Sequence, residues 1–405
     1  MATLAPYIPP HVKPEQVFSF DIYADPRVGD DVQGTYSAAL ADAPDIFWSP
    51  LNGGHWMVKR HDLIAEIVKK PEVFSAREMQ IPRVENPPFM IPLSLDPPDN
   101  VPYRHVLMPK FSPRAVADME PKMRAMAADI IDEVLAKGEC DFVADISARF
   151  PVSVFMEVMG LPLDKLREFR AIADTYFNAR TNEEIQRISQ QIFGIFNELI
   201  AYRRETPGDD LITHFLTVDV EGRKLSQDEI LAMSFVLFLG GMDTVTNVTA
   251  FTFQHLAGDP ALQARLAADP SRLSDFAEEG LRMFGVIGTP RLVVQDHDAH
   301  GVSFRKGEMV LSALWQSGRD SEKMDNPDGF DIDRKEKPHL NFSTGPHMCL
   351  GHALARAEMR ILADEWLKRV PSFRAKPGVK HGFRIGTVIA LESLPLEWPI
   401  AEGVA

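Results

Sequence analysis

Residues 342–351 read Phe-Ser-Thr-Gly-Pro-His-Met-Cys-Leu-Gly, and an amphipathic run that begins at His352 follows them directly. The cysteine of this stretch is Cys349. We expect a helix behind it to present free backbone N–H groups and the positive end of its dipole to the sulfur. Such surroundings favour the thiolate, the form of cysteine that binds metals. A lone cysteine is more often a buried structural residue, but the flanking Gly345 and Gly351 weaken that interpretation.

A single active cysteine is compatible with several kinds of chemistry. A zinc site needs further Cys or His ligands, and the other cysteine, Cys140, has no paired His spacing around it. A non-haem iron site has no recognisable spacing among the 12 histidines. A Cys/His hydrolase needs a base, and His347 on the same tight loop is poorly placed for that role. A haem iron needs only one protein thiolate, because the porphyrin supplies four nitrogens.

Composition and charge narrow the class of protein. The chain has 405 residues, of which 45% are hydrophobic and 25% charged, which is typical of a soluble globular protein. A net charge of −15 argues against nucleic acid or an anionic membrane surface as a partner. Two cysteines exclude a disulfide framework, the N-terminus lacks a signal-peptide pattern, and no run is judged long enough to span a bilayer. We therefore expect a soluble, cytoplasmic protein.

Helical periodicity dominates the chain, and neither an internal repeat nor a low-complexity linker divides it. Helices are predicted over 62–69, 119–135, 150–159, 164–179, 183–204, 226–257 and 352–370. Short strands are predicted around 56–58 and over 291–294, 309–314, 383–391 and 394–398. These patterns predict a mainly α fold with small β-sheets (α+β), organised as a single domain over residues 1–405.

The predicted helix over 226–257 is long enough to cross a whole domain. A capping box, Ser226 with Glu229, marks its start. Its centre is poorly suited to a helix, because two adjacent glycines, residues 240 and 241, precede several β-branched residues. Close helix packing accounts for the glycines but leaves Asp243 and Thr244 unexplained. This weak, polar centre predicts a cofactor or substrate pressed against the helix.

Residues 80–95 combine four prolines with several large apolar side chains. Prolines at this density exclude a regular helix or a central strand. An irregular apolar loop must bury its side chains, either in a substrate cavity or simply on the core. The residues alone favour neither.

The pattern Phe342-x-x-Gly345-x-His347-x-Cys349-x-Gly351 resembles the haem-binding loop of the cytochromes P-450, the haem-thiolate monooxygenases. Three further stretches agree with this family in order and separation. They are Gly240-Gly241-Met242-Asp243-Thr244, similar to the oxygen-activating segment of the long central helix; Glu279-x-x-Arg282 with Arg334; and Asp96-Pro-Pro with Arg104. Residues 240–247 and the Leu-Pro-Leu-x-Trp of residues 394–398 most resemble the bacterial camphor-hydroxylase group.

The resemblance implies a cytochrome P-450 fold, with the long helix crossing haem b (iron protoporphyrin IX), and a role for each matching residue. Cys349 would ligate the iron, within a loop formed with Phe342, Gly345 and Gly351. The haem propionates would pair with Arg104, Arg291 and His347. Thr244 would take part in oxygen activation, and Asp243 would gate proton delivery from solvent. The remaining matches, Glu279, Arg282 and Arg334, would form a buried structural ion network.

Three departures from the group's pattern concern the site. Ser343 replaces the glycine that most members place after the phenylalanine. Thr289 stands where the camphor hydroxylase has an aspartate near a propionate. Residues 80–95 contain no tyrosine to bind a substrate ketone. These departures argue against camphor as the substrate.

An apolar substrate is expected from both the residues and the resemblance. The predicted pocket residues are Gln80, Met90, Ile91, Leu93, Leu239, Gly240, Ile287, Thr387 and Val388, together with Tyr176 or Phe177. Ordinary core packing is the alternative for any one of them. The hypothesis is hydroxylation of a terpenoid or norisoprenoid of modest size.

The resemblance also implies partners. A monomer without a fused reductase would use O2 and take electrons from a [2Fe–2S] ferredoxin with its reductase, docked near Arg104, Lys110 and Arg356. A peroxygenase that uses peroxide directly is one alternative, although such enzymes usually replace the acid–threonine pair. A haem-based sensor or ligand-binding protein is another, in which a proton relay would serve no purpose.

Overall fold

Helices make up most of the regular secondary structure, as the sequence predicts. The computed structural model describes residues 5–84, 86–179 and 181–400. Its helices are α1 Val32–Ala39, α2 His61–Val68, α3 Val101–Leu107, α4 Pro113–Leu135, α5 Arg149–Met159, α6 Leu166–Asn178, α7 Asn182–Glu205, α8 Leu211–Thr217, α9 Gln227–Ala257, α10 Pro260–Ala268, α11 Leu273–Met283, α12 Leu314–Ser317 and α13 His352–Arg369.

The strands are short and form small sheets. They are β1 Ile46–Ser49, β2 His55–Val58, β3 Phe74–Ser75, β4 Glu139–Asp141, β5 Asp219–Val220, β6 Arg223–Lys224, β7 Thr289–Val293, β8 His297–Ala299, β9 Val302–Phe304, β10 Met309–Ser312, β11 Arg374–Ala375, β12 Phe383–Arg384, β13 Ala390–Leu391 and β14 Pro395–Glu397. The largest sheet has the order β1-β2-β10-β7-β3, and a three-stranded sheet has the order β11-β14-β4. The predicted mainly α fold with small sheets is confirmed.

Helix α9 lies at the centre of the packing. The predicted capping box is present, since Ser226 Oγ accepts from the Glu229 N–H at 3.2 Å and the Glu229 carboxylate accepts from the Ser226 N–H at 2.7 Å. Helices α5, α6, α7 and α11 pack directly against α9. Most of its side chains are therefore buried in the main hydrophobic core.

The expectation that no run is long enough to span a bilayer is wrong for α9. This helix is long and apolar enough to cross a membrane, although 56% of its most apolar stretch is buried within the protein. The core helix of a soluble protein has the same composition, because a helix surrounded by other elements is apolar on all sides. No other described helix is both long enough and apolar enough.

The C-terminal segment 383–391 is a hairpin and not one strand. Phe383 pairs with Leu391 and Arg384 with Ala390, in antiparallel register. The turn between them lies against residues 286–288, where the Gly288 N–H donates to the Thr387 carbonyl at 2.9 Å. Since β13 also contacts α9, the hairpin carries residues 384–390 to the central helix.

Candidate active site

The cysteine loop is a tight turn held by backbone hydrogen bonds. The Cys349 N–H donates to the Phe342 carbonyl at 2.8 Å, and the Met348 N–H donates to the Gly345 carbonyl at 3.1 Å. Gly345 has φ +71°, and an added Cβ would lie 3.0 Å from Lys69 Cγ. Glycine is required there by both the backbone conformation and the close approach of α2.

Ser343 has φ +56°, the left-handed conformation that glycine adopts most readily. This explains why a glycine usually occupies the position in the family that the loop resembles. The Ser343 hydroxyl is buried and has no hydrogen-bond partner among the described residues. The serine therefore carries both backbone strain and an unpaired polar group.

Replacing Ser343 by glycine is expected to raise the free energy of unfolding by about 1 kcal/mol. Relief of the left-handed backbone and loss of the unpaired hydroxyl outweigh the added backbone entropy of glycine in the unfolded chain. Urea unfolding of the haem-loaded protein measures the change. Ser321→Gly, at an exposed turn outside the left-handed region, is the matched control and is expected to be mildly destabilising. Equal effects of the two substitutions would contradict the prediction.

The side chain of Phe342 supports the start of α13. The Arg356 guanidinium lies 4.6 Å from the centre of the Phe342 ring and forms two bonds, 2.6 and 2.8 Å long, with the Glu278 carboxylate. A cation stacked on an aromatic ring and paired with an acid is well fixed. The loop and α13 are thereby tied to α11.

Cys349 has exposed surface as a residue, but the atoms packed around its sulfur make the thiol less acidic than the sequence predicts. Burial among neighbouring atoms raises the pKa of the thiol above its ordinary value, although the Gly351 N–H and the charges of Arg104 and Arg356 act in the opposite direction. The helix start acts in the predicted direction, through the Gly351 N–H, but burial of the sulfur outweighs it. A bound metal ion deprotonates a coordinating thiol outright, so the residue still suits a metal. Among the described residues, no group of three or more His, Cys, Asp or Glu side chains is arranged to hold a metal ion.

Arg291, on β7, is a buried cation without a carboxylate partner in the described part of the chain. It is 1% exposed, and Nη1 donates to Thr289 Oγ1 and to the Pro290 carbonyl, each at 2.8 Å, and to Met79 Sδ at 3.2 Å. Burial lowers the pKa of the guanidinium to about 10, against the attraction of Asp96. Thr289 therefore orients Arg291.

Arg104 and His347 lie in the same region. Arg104, on α3, donates from Nη2 to the Met348 carbonyl at 2.8 Å, and no ion pair is found for it among the described residues. His347 is 8% exposed, and its Nε2 lies 3.7 Å from an Asp96 carboxylate oxygen without a hydrogen bond. Burial lowers the pKa of His347, and the charges of Arg291 and Arg104 lower it further against the Asp96 carboxylate.

These three side chains fit an anionic ligand. A buried guanidinium without a counter-ion is costly, because its lost hydration is not replaced. A ligand with carboxylates supplies the missing counter-ion, and Arg binds carboxylates in paired hydrogen bonds. Cys349 next to these cations can supply one thiolate ligand. Haem requires both features, since it carries two propionates and one open proximal iron position.

The two glycines at the centre of α9 have different surroundings. An added Cβ on Gly241 would lie 2.3 Å from the Phe155 ring, so this glycine allows α5 to pack closely. Gly240 is exposed, and an added Cβ would meet nothing within 4 Å. Close packing therefore explains Gly241 only. Gly240 leaves free space beside the middle of the helix.

Asp243 and Thr244 lie one turn after that opening. The Thr244 hydroxyl donates to the Gly240 carbonyl at 3.0 Å. Asp243 is 2% exposed; its Oδ2 accepts from Arg384 Nη2 at 2.9 Å and its Oδ1 from Asn247 Nδ2 at 2.8 Å. Asn247 lies one helical turn after Asp243, so the i, i+4 spacing of the sequence predicts this contact. Arg384, on β12, has no local sequence signal that connects it to Asp243.

The predicted pocket residues fall into three groups. Ile287 pairs with Val388 in an isolated bridge, and Thr387 is bonded to the adjacent Gly288, so these residues lie together. Gln80 donates from Nε2 to the Tyr176 hydroxyl at 3.2 Å. The remaining apolar residues are buried or half-buried in the main core: Met90, Ile91, Leu93 and Leu239.

Two clefts, of about 520 and 860 Å³, open elsewhere on the described surface. The larger is lined by parts of α1 and by the ends of α9 and α11, and neither contains a predicted pocket residue. Neither cleft therefore coincides with the predicted substrate pocket.

In the Glu279–Arg282–Arg334 cluster, the first two side chains are buried and Arg334 is half-buried. Glu279 and Arg282, on α11, are both 0% exposed and form bonds of 2.8 and 2.7 Å. Arg334 Nε lies 3.6 Å from a Glu279 oxygen. Arg282 also donates to the Pro327 and Gly329 carbonyls at 2.7 and 2.8 Å, which ties α11 to the segment before the cysteine loop.

Known proteins resemble this chain over most of its length. Residues 165–377 match the family model described as Cytochrome P450. A relative from Sinorhizobium fredii, named "Probable cytochrome P450 127A1", is 31% identical over 96% of this chain and 97% of its own length. A Mycobacterium tuberculosis protein named "Steroid C26-monooxygenase" is 28% identical over 83% of this chain and 92% of its own. The crystal structure of CYP101J2 is 32% identical, covers 97% of this chain and all of its own, and has a TM-score of 0.88.

The fold and these comparisons thus define a haem-thiolate monooxygenase. The chain belongs to the cytochrome P450 family, and the likeness to CYP101J2 confirms the resemblance to the camphor-hydroxylase group. As a member it binds haem and substrate and uses O2 with electrons from a redox partner.

Proposed function

We propose that this enzyme uses haem b to hydroxylate a small apolar terpenoid or norisoprenoid, with electrons from a [2Fe–2S] ferredoxin and its reductase. The overall reaction converts a substrate C–H bond, O2, two electrons and two protons into C–OH and water. The observation that carries the proposal is the exposed Gly240 followed by Asp243 and Thr244, polar residues within an otherwise apolar central helix. We further propose that residues 1–405 act as one domain, as a monomer in the cytoplasm.

Cys349 would ligate the haem iron, in the loop formed with Phe342, Gly345 and Gly351. Arg104, Arg291 and His347 would bind the propionates, which the lack of carboxylate partners for both arginines among the described residues supports. A thiolate-ligated haem supplies the electron donation that favours O–O cleavage.

The remaining chemistry belongs to α9 and the β12–β13 hairpin. Thr244 holds its hydroxyl beside the open position at Gly240. Asp243 passes protons inward from the solvent side. Its carboxylate is buried, and the hydrogen bond from Arg384 fixes its position. A positioned acid–hydroxyl pair is the arrangement that proton transfer requires. The substrate lies against apolar walls that include Leu239, Gly240, Ile287 and Val388.

A panel of terpenoids and norisoprenoids tests the proposed substrate class. Binding is expected to displace the water on the ferric iron and to shift its visible spectrum, and turnover with ferredoxin and reductase should give an alcohol. A panel without any spectral shift would overturn the substrate class. The spectrum of the reduced CO complex tests the thiolate ligand separately. Turnover that requires O2 and reduced nicotinamide excludes both a peroxygenase and a passive haem sensor.

Charge reversal at the proposed docking surface is expected to slow reduction by the ferredoxin. Half-exposed Lys110 lies near Arg104 and the exposed Met108 and Met348, whereas the charge of Arg356 is already paired with Glu278. Lys110→Glu should lower the reduction rate about tenfold at low salt and less at high salt, since steering by surface charge is screened. Stopped-flow reduction measures the rate.

Lys380→Glu is the control, because Lys380 is exposed and weakly paired, at 3.9 Å from Asp30. It makes the same charge reversal outside the residues proposed for docking. Equal rates for the two variants would rule out this docking surface.

A further inference from the structure

Gln80 and Tyr176 form a polar pair that joins two distant parts of the chain. Gln80 lies in the irregular segment after β3, and Tyr176 lies in the last turn of α6. Gln80 Nε2 donates to the Tyr176 hydroxyl at 3.2 Å. Tyr176 is 8% exposed, and burial raises the pKa of its phenol to about 12, against the bond from Gln80, so the hydroxyl keeps its proton.

The pair has unused hydrogen-bonding capacity. Gln80 Oε1 is buried without a partner, and no acceptor for the Tyr176 O–H is found within the described ranges. Rotating the amide by 180° would make the tyrosine the donor, but the pair would still keep one free donor and one free acceptor. Buried polar groups are nearly always paired, because an unpaired one costs stability. The free capacity therefore points to a ligand atom.

The surroundings of the pair are apolar, and both of its members are fixed. The Tyr176 ring lies 5.6 Å from the ring of Phe235 on α9 and 5.9 Å from that of Phe177. Next to Gln80 in the chain, Met79 accepts a bond from Arg291, and the Ile81 carbonyl accepts from the Tyr23 hydroxyl. The polar pair thus stands between the proposed propionate anchor Arg291 and the aromatic face of α6 and α9.

We propose that Gln80 and Tyr176 bind the oxygen atom of a substrate that already carries one, a terpenoid ketone or alcohol. A ketone oxygen accepts from the free O–H, and an alcohol both accepts from it and donates to the free amide oxygen. Apolar contacts hold the rest of the molecule, so the polar pair sets its orientation. This inference rests on the proposed function, because it concerns the substrate of the same site. It also implies that an earlier reaction, one that adds an oxygen atom to the carbon skeleton, supplies the substrate.

Matched probes test the inference on the haem-loaded enzyme. The first series is camphor, borneol and bornane, which share one carbon skeleton and carry a ketone, an alcohol and no oxygen. The second is β-ionone, β-ionol and the hydrocarbon of the same skeleton. Kd is measured by spectral titration and independently by calorimetry. In the wild type, the oxygenated members of at least one series are expected to bind about tenfold more tightly than the hydrocarbon.

Tyr176→Phe and Gln80→Leu are each expected to reduce this preference to within about twofold while hydrocarbon binding is retained. Retained hydrocarbon binding shows that the pocket of the variant is folded. Tyr202→Phe, at an exposed tyrosine of α7, is the matched control and should keep the wild-type preference. No preference in either wild-type series, or an unchanged preference in both variants, overturns the inference.

The reduced CO complex separates this inference from the proposed function. A spectrum without the thiolate signature would overturn the proposed function itself. A thiolate spectrum together with hydrocarbon hydroxylation, but without preference for oxygenated probes, would overturn only the role of the polar pair.

Discussion

Replacing Thr244 by valine is expected to lower the yield of hydroxylated product about a hundredfold. Valine has nearly the same shape but cannot hydrogen-bond, and a positioned proton donor typically contributes a factor of 10² to 10⁴. Consumption of reduced nicotinamide should continue, so that electrons are lost to peroxide or water. The ratio of product formed to nicotinamide consumed, with peroxide measured in parallel, reports the effect.

Thr246→Val is the matched control on the same helix. Thr246 is 1% exposed and its hydroxyl has no hydrogen-bond partner in the described structure. Its loss should leave the product yield unchanged. Asp243→Asn should resemble Thr244→Val and enlarge the solvent isotope effect, because the acid is the proposed proton gate. Equal yields for Thr244→Val and Thr246→Val would rule out a special role for the Thr244 hydroxyl.

Replacing Arg282 by methionine is expected to destabilise the protein by about 3–5 kcal/mol. The substitution leaves the carboxylate of Glu279, which is 0% exposed, without its main partner, and an uncompensated buried charge has this cost. It also releases the Pro327 and Gly329 carbonyls, which precede the cysteine loop. Urea unfolding of the haem-loaded protein, followed by far-UV circular dichroism and haem absorbance, measures the loss.

The double variant Glu279→Leu/Arg282→Met should recover much of this stability, because it removes both charges together. Lys70→Met removes half of the partly exposed i, i+4 pair with Glu66 and should cost only a few tenths of a kcal/mol. A double variant no more stable than Arg282→Met would show that the carbonyl contacts, and not the charge pair, stabilise this region.

The cysteine loop and the central helix were predictable because their signals are local. Ten consecutive residues contain Cys349 and the turn glycines, and five consecutive residues of α9 combine an opened backbone with Asp243 and Thr244. Periodicity and capping in turn depend on neighbours three or four positions away. Such features can be recognised before the fold is known.

The thiol of Cys349 shows the limit of local reasoning. The Gly351 N–H at the helix start favours the thiolate, but burial by other parts of the chain outweighs it and raises the pKa of the thiol. A helix dipole acts over one turn, whereas desolvation depends on every atom packed nearby. The sign of the shift is therefore a property of the tertiary structure.

The same distinction separates the two glycines of α9. The sequence does not distinguish Gly240 from Gly241, but only the second lies against Phe155. Which face of α9 meets a neighbour depends on the packing of α5, whose Phe155 lies 86 residues before Gly241 in the chain.

The sequence by itself determined the mainly helical fold, the family and the residue types around a single cysteine, because these depend on contiguous patterns. Only the tertiary structure decided that Arg384 holds Asp243, that Thr289 orients Arg291 and that Gln80 meets Tyr176. The Arg384 and Gln80 contacts join residues far apart in the chain. The bond between Thr289 and Arg291 is local, but it matters because Arg291 is buried. Hydrogen bonds between distant side chains leave no periodic trace in a sequence, so they become visible only when the packed fold brings their atoms together.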